Sequence, residues 1–279
     1  MMKLGIRGHD LGKNTPVAFS ASVRQAKLQT LQLVLPKAIE YVSEKPLIQD
    51  EALIEELSTE LKAQQVEVAM MGAYFNPIHS NKELVAKGVE NFKNHLRSAH
   101  KFGTHLVGTE TGSYNDDEWT WHKNNGSEEA FQNVLSVFKE ILPIAEETES
   151  YLTIEPAYHH VIQTPKRLKR LVDALDSDNV RVIFDLFNLL YKGNYQNQHQ
   201  LIDEMVEMFP DKIEIVHAKD FIVENGDIVQ VAPGKGLLDY PYLLEKLGTL
   251  QNTPAIIFEG VVGDDIPFSR QFLTDLLAK

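Results

Sequence analysis

The sequence predicts an α/β protein, a (β/α)8 TIM barrel, on three observations. Short apolar segments of strand character alternate with longer segments of helical periodicity along the chain. Eight such pairs fit within 279 residues, a usual length for this barrel. Four consecutive strand candidates also end in a side chain that can bind a metal, and the active site of such a barrel lies at the carboxyl ends of its strands.

Eight segments carry the strand prediction, because each is a short run rich in aliphatic residues. They cover residues 3–7, 31–35, 66–71, 105–110, 151–155, 180–185, 213–217 and 255–259. Alternation within the last segment places Ala255, Ile257 and Glu259 on one side, which we expect to be the barrel interior. Ile256 and Phe258 would then face the helices.

Helix candidates lie between these strands and after the last one. They are residues 50–64, 127–148, 164–175 and 267–279. The first shows apolar side chains at a spacing of about 3.6 residues. The next two begin with the N-cap candidates Ser127 and Thr164. No Pro- or Ser-rich linker interrupts the pattern, so we predict a single domain over residues 1–279.

Composition and charge exclude several classes of protein. Hydrophobic residues make up 43% of the chain, and the absence of cysteine rules out disulfides and thiolate metal sites. The net charge of −13 opposes binding to phosphate backbones, so we expect no nucleic-acid partner. No apolar run approaches the roughly 20 residues of a membrane span, and the amino terminus lacks a signal-peptide core. We therefore expect a cytoplasmic protein with no membrane partner.

The strand ends supply the candidate metal ligands. Glu155, Asp185, His217 and Glu259 end four successive strand candidates, and the first three are each about one strand–helix repeat apart. Their side chains should converge at the barrel mouth, where three unpaired carboxylates would repel one another. A divalent cation is the natural partner. An oxygen-rich set with one nitrogen favours Mn²⁺, with Mg²⁺, Co²⁺ or Zn²⁺ as alternatives.

Five short motifs resemble a known superfamily when they are taken in order. They are TIEP at 153–156, VIFD at 182–185, VHAKDF at 216–221, PGKGLLDY at 233–240 and IIFEG at 256–260. Together they are similar to the xylose isomerase-like sugar isomerases and epimerases, (β/α)8 barrels that include ketose 3-epimerases, inosose dehydratase and endonuclease IV. The resemblance implies one metal site at the four strand ends. It also implies that Glu155 and Glu259 act as acid and base on opposite faces of a sugar.

The implied reaction is a metal-dependent isomerisation or epimerisation of a sugar or sugar phosphate through an enediolate, placing the chain in carbohydrate metabolism. A metal would stabilise the enediolate, and the carboxylates would remove and return the proton. The alternatives are an inosose dehydratase-like lyase that uses the same intermediate, and a non-catalytic or divergent nuclease barrel. The expected partner is a small carbohydrate, and barrels of this kind often form homo-oligomers.

Three positions depart from the patterns of the family. Asn188 stands where the epimerases and endonuclease IV have a histidine. Val161 and Val223 stand where the ketose 3-epimerases have a glutamate and an arginine, so the usual clamp on the first oxygens of the sugar is absent. We therefore expect a substrate that differs from those of the known epimerases.

Further residues are predicted to bind substrate: His9, Asn76, Glu110, Asn188 and Lys219. Each of four has a structural alternative. Lys219 would otherwise pair only with Asp220, and Glu110 would be a loop carboxylate that accepts backbone N–H bonds. Asn76 would be a turn residue. His9 would belong to a buried polar network.

Overall fold

The computed structural model describes residues 2–278 and contains a closed parallel barrel. Its strands follow one another around the barrel in the order β1, β2, β3, β4, β5, β6, β7, β10, and β10 pairs with β1. In chain order the strands are β1 Leu4–Arg7, β2 Thr30–Leu33, β3 Glu67–Gly72, β4 Leu106–Glu110, β5 Tyr151–Glu155, β6 Val180–Asp185, β7 Ile213–Ala218, β8 Asp220–Glu224, β9 Asp227–Val231 and β10 Ala255–Phe258. The predicted (β/α)8 fold is confirmed.

Helices cover the outside of the barrel. They are α1 Pro16–Gln25, α2 Leu35–Ala38, α3 Glu51–Ala63, α4 Lys82–Ser98, α5 Glu128–Glu147, α6 Pro165–Leu175, α7 Leu186–Leu189, α8 Gln198–Met208, α9 Tyr240–Leu247 and α10 Asp265–Leu277. The two predicted caps are present: Ser127 Oγ accepts the N–H of Ala130 at 3.1 Å, and Thr164 Oγ1 accepts the N–H of Arg167 at 3.2 Å.

Two elements differ from the sequence-based expectation. Residue 35 was expected to end the second strand, but β2 ends at Leu33 because Pro36 lies in the first turn of α2. The segment after β7, which lies outside all the predicted strands and helices, forms the antiparallel hairpin of β8 and β9. Asn225 and Gly226 at its turn both have positive φ, 52° and 83°, as a two-residue hairpin turn of type I′ requires.

The barrel interior and the helix layer bury separate sets of side chains. Met70, Ile183, Ile215 and Ile257 fill the inside of the barrel, with Ala255 packed against them. Phe258 belongs to the larger core between strands and helices. This arrangement agrees with the predicted alternation along the last strand, and it leaves the carboxyl ends of the strands as the floor of an open cavity.

Among the helices described, none is both long enough and apolar enough to cross a bilayer.

Candidate active site

The four predicted metal ligands lie together at the barrel mouth. Glu155 ends β5, Asp185 ends β6, His217 lies near the end of β7 and Glu259 directly follows β10. One potential ligand atom from each lies within 4.8 Å of the other three. Asp185 and His217 are also direct partners across the β6–β7 ladder. Strand alternation and strand order therefore bring the quartet together as the sequence predicted.

The orientation of the His217 ring is held by a pair of residues that sequence reasoning missed. Gln32 Nε2 donates to the Tyr74 hydroxyl at 2.7 Å, which turns Gln32 Oε1 toward His217 Nε2, also at 2.7 Å. Because the amide oxygen can only accept, Nε2 carries a proton, and Nδ1 is the nitrogen that can lose its proton and bind a metal. A polar residue inside the apolar run of β2 was the one signal for Gln32.

The other nitrogen of His217, Nδ1, faces the carboxylates. Nδ1 lies 3.1 Å from Glu155 Oε1, 2.9 Å from Glu259 Oε2 and 3.7 Å from Asp185 Oδ2. Burial alone would lower the pKa of His217, but Glu155 and Glu259 raise it well above its ordinary value. Positive charge is thus favoured at the point where these atoms meet.

These residues fit a divalent cation. Three carboxylates and one imidazole nitrogen are a donor set that hard and borderline divalent metals accept. Asp185 Oδ2 is buried without a well-aligned hydrogen bond, although Lys219 Nζ lies 2.8 Å from it. Gln32 supplies the outer hydrogen bond that metal-binding histidines usually make. The quartet can therefore hold one metal ion, and its outer partners are already in place.

Lys219 bridges the quartet. Its Nζ lies 2.8 Å from Asp185 Oδ2, 2.8 Å from Glu259 Oε1 and 3.0 Å from Asn188 Oδ1. The alternative that Lys219 pairs only with Asp220 is wrong. The Asp220 carboxylate instead accepts four backbone N–H groups, those of Phe221, Gly234, Gly236 and Leu238. It therefore organises the loop before α9.

The two glutamates of the quartet have different surroundings. Glu155 Oε1 accepts a hydrogen bond from the neutral Asn188 amide at 2.8 Å. Glu259 Oε1 lies near two cations, Lys219 and Arg7, and Arg7 Nη1 donates to it at 2.9 Å. Burial opposes ionisation of Glu259, yet Lys219, His217 and Arg7 together lower its pKa well below its usual value.

Arg7 is itself fixed at the end of β1. Its Nη2 donates to Asp10 at 2.9 Å, and the Asp10 carboxylate accepts the N–H of Gly260 at 2.7 Å. This network ties the loop after β1 to the residue that follows Glu259. Arg7 thus contacts both the cavity and the quartet.

A cavity of about 530 Å³ opens above the quartet. The residues that line it include Arg7, His9, Gln32, Tyr74, Glu110, Trp119, Glu155 and Glu259. Burial lowers the pKa of His9 to about 4, with Arg7 contributing in the same direction, so its imidazole is neutral near pH 7. His9 and Glu110, two of the residues predicted to bind substrate, both line this cavity.

Asn76 does not line this cavity. Its Nδ2 donates to the backbone carbonyls of Ser113 at 2.7 Å and Asp116 at 2.8 Å, and its Oδ1 accepts the N–H of Ile78 at 3.1 Å. The predicted substrate contact is replaced by a structural role: the bond to Ile78 forms a local turn, and the other two bonds hold the loop that follows β4. That loop places Trp119 at the cavity.

Comparison with known proteins identifies the family of the chain. A family model described as xylose isomerase-like TIM barrel matches residues 21–273. No curated protein matches the sequence.

Solved structures share the fold over nearly the whole chain. A D-tagatose 3-epimerase-like protein is 20% identical, with a TM-score of 0.77 over 99% of this chain and 97% of its own. The IOLI protein with a bound zinc atom is 16% identical, with a TM-score of 0.75 over 99% and 98%. A xylose isomerase-like barrel from Mycobacterium smegmatis in complex with magnesium is 16% identical, with a TM-score of 0.73 over 99% and 97%.

Proposed function

This chain belongs to the xylose isomerase-like TIM-barrel family, and from that premise we propose that it is a metal-dependent isomerase or epimerase of a sugar or sugar phosphate. The observation that carries the proposal is the convergence of Glu155, Asp185, His217 and Glu259 at the floor of a cavity of about 530 Å³. Epimerases among the structural neighbours support it.

We propose Mn²⁺ as the cation, with Mg²⁺, Co²⁺ or Zn²⁺ as alternatives. When bound, it supplies positive charge where negative charge develops on the oxygens of a ketone. The structures of neighbours with zinc or magnesium support a metal of this class.

The two glutamates are proposed to move the proton. They come from β5 and from the residue after β10, with β6 and β7 between them in the barrel wall. Asn188 orients the Glu155 carboxylate, and Arg7 and Lys219 orient that of Glu259. One carboxylate takes the proton from the carbon beside the ketone, and the other returns it on the opposite face or to the neighbouring carbon.

Glutamine at either position tests this role, because it keeps the shape of the side chain but removes the base. We expect Glu155→Gln and Glu259→Gln each to lower turnover by about 10²–10⁴-fold. Glu55→Gln, on the exposed face of α3, is the matched control and should keep full activity.

The assay incubates the metal-loaded protein with a panel of ketoses and their phosphates in D₂O and follows the products by NMR. Deuterium should enter the product at the carbon that loses the proton. Turnover without deuterium would contradict proton transfer through the carboxylates. A product lighter by one water would identify a lyase instead.

A further inference from the structure

The Glu110 carboxylate is an unused hydrogen-bonding group in the cavity. Glu110 ends β4 and lies beside Glu155 in the β4–β5 ladder. Its side chain is 20% exposed, and it lines the cavity above the quartet. Among residues 2–278, no N–H or O–H group donates a hydrogen bond to this carboxylate. The loop-carboxylate alternative, in which backbone N–H groups satisfy Glu110, is therefore wrong.

The neighbouring histidine, His160, does not hydrogen-bond to Glu110. His160 Nδ1 is buried without a hydrogen-bond partner and lies 3.7 Å from Glu110 Oε1. Burial lowers the pKa of His160 to about 4, so the ring is neutral near pH 7. Glu110 and His160 are therefore neighbours without a hydrogen bond between them.

The two cations that contact the quartet are already paired. Arg7 contacts Asp10 and Glu259, and Lys219 contacts Asp185 and Glu259. Neither is therefore free to bind a phosphate group.

A phosphate group would find little else to bind it. Lys37 is the one other lysine or arginine among the cavity-lining residues of the described chain, and its side chain is exposed. Phosphate recognition usually combines several cationic side chains or backbone N–H groups. A single exposed lysine at the rim does not make such a site.

Val161 and Val223 stand where the ketose 3-epimerases have a glutamate and an arginine, so polar contacts with a sugar must come from other residues. Val161 is fully buried in the core, and Val223 lies on β8 with 38% of its surface exposed. Neither can bond to a sugar oxygen. Unpaired acceptors at Glu110 and at His9, whose Nδ1 is also buried without a partner, are available instead.

We infer that Glu110 is a specificity-determining residue that accepts hydrogen bonds from substrate hydroxyl groups, and that the substrate is an unphosphorylated polyhydroxylated ketone. This inference rests on the proposed function, because it concerns the substrate of the same site. Hydroxyl groups supply the donors that Glu110 lacks, whereas a phosphate ester would find only Lys37 as an unpaired cation among the described residues that line the cavity.

The test compares matched pairs of free and phosphorylated ketoses, D-fructose with D-fructose 6-phosphate and D-ribulose with D-ribulose 5-phosphate. Calorimetry measures binding of each sugar, and of inorganic phosphate, to metal-free and Mn²⁺-loaded protein. We expect the free ketose of the better-bound pair to bind at least about tenfold more tightly than its phosphate ester. The same preference should appear in kcat/KM.

The variant Glu110→Gln then tests the contribution of this one side chain to substrate binding. We expect the variant to bind the free ketose about tenfold or more weakly, and its preference for the free ketose over the phosphate ester to narrow, because one of the two acceptor oxygens is replaced by an N–H donor. Glu55→Gln is the matched control. A circular dichroism spectrum checks that the fold is kept.

Three results would overturn the inference: tighter binding of the phosphate ester by the wild-type protein, unchanged binding of the free ketose by Glu110→Gln, or binding of none of the free ketoses. Failure of the proposed function has a different signature. In that case free ketoses bind with the stated preference, but no member of either pair is turned over with any of the proposed metals.

Discussion

The two halves of the barrel mouth carry different kinds of polar residue. The half formed by β5, β6, β7 and β10 supplies the four candidate ligands. The half formed by β1 to β4 supplies residues that contact those ligands or the cavity, namely Arg7, Gln32, Tyr74 and Glu110. The first half would bind the metal directly. The second half fixes the orientation of the ligand side chains and lines the cavity beside them.

The difference shows why a ligand set alone does not describe such a site. His217 can present Nδ1 to a metal because Gln32, across the barrel, accepts a hydrogen bond from its other nitrogen, Nε2. Glu259 is held by Arg7 from β1 in the same way. We therefore expect a graded response to mutation, with the largest effects in the ligand half.

Asp185→Asn should have the largest effect. Asparagine can still accept the N–H of Asn188 and cap α7, but it removes one charged oxygen and leaves Lys219 paired with Glu259 alone. We expect Mn²⁺ affinity to fall by more than about 100-fold. Competition with a fluorescent chelator measures the Mn²⁺ affinity. Asp178→Asn, on the surface, is the control. Unchanged affinity would remove Asp185 from the ligand set.

Gln32→Leu should have the next largest effect, in the supporting half. Loss of the partner of a metal-binding histidine typically costs about 10–100-fold in metal affinity. Gln32→Glu keeps an acceptor for His217 Nε2 and should retain more of the affinity than the leucine variant. If the two variants bind Mn²⁺ equally well, the bond to His217 does not orient the ring.

Replacement of His95 should have the smallest effect at neutral pH, and its effect on stability should grow as the pH falls. This histidine lies on α4, behind the supporting half, with Nε2 buried and without a partner. Burial lowers its pKa from 6.5 to about 4. The unfolded chain therefore binds the proton more readily between these values, and stability is lost as the pH falls from 6.5 toward 4.

We expect His95 to account for about 2 kcal/mol of the free energy of unfolding lost between pH 7 and about pH 4.5. Urea unfolding of the wild type and of His95→Leu at the two pH values measures this contribution. The free energy of unfolding that is lost between the two pH values should be smaller in the variant by about 2 kcal/mol. His105→Leu is the control for removal of an exposed imidazole. An identical pH dependence in His95→Leu and the wild type would show that His95 titrates normally in the folded protein.

The ligand half could be predicted from sequence because its signals are local. A carboxylate or histidine at the end of an aliphatic strand is visible in the chain, and strand alternation gives its side. The supporting half has weaker signals. Gln32 is a single polar residue within β2, and nothing near Tyr74 shows that its hydroxyl holds the Gln32 amide. Such pairing depends on which strands become neighbours after the barrel closes.

The missed and misassigned elements have similar causes. The hairpin of β8 and β9 carries an Asn225–Gly226 turn signal, but it is absent from the predicted strands, because the alternating strand–helix pattern leaves no place for an extra hairpin between β7 and the next helix. Asn76 has a side chain suited to a sugar, and only the position of the loop after β4 shows that its bonds are used elsewhere. Lys219 adjoins Asp220 in sequence, yet β7 and the hairpin direct the two side chains to different partners.

The ion pair between Arg7 and Glu259 joins residues 252 positions apart, and it bears on how the protein is made. All four candidate ligands lie at or after residue 155, so more than half of the chain is synthesised before the first of them exists. The barrel cannot close until β10, its last strand, pairs with β1. A chain emerging from the ribosome therefore has no complete metal site until its last strand is free to pair. A metal bound at this candidate site would consequently report that folding is finished, and it could not guide the early steps.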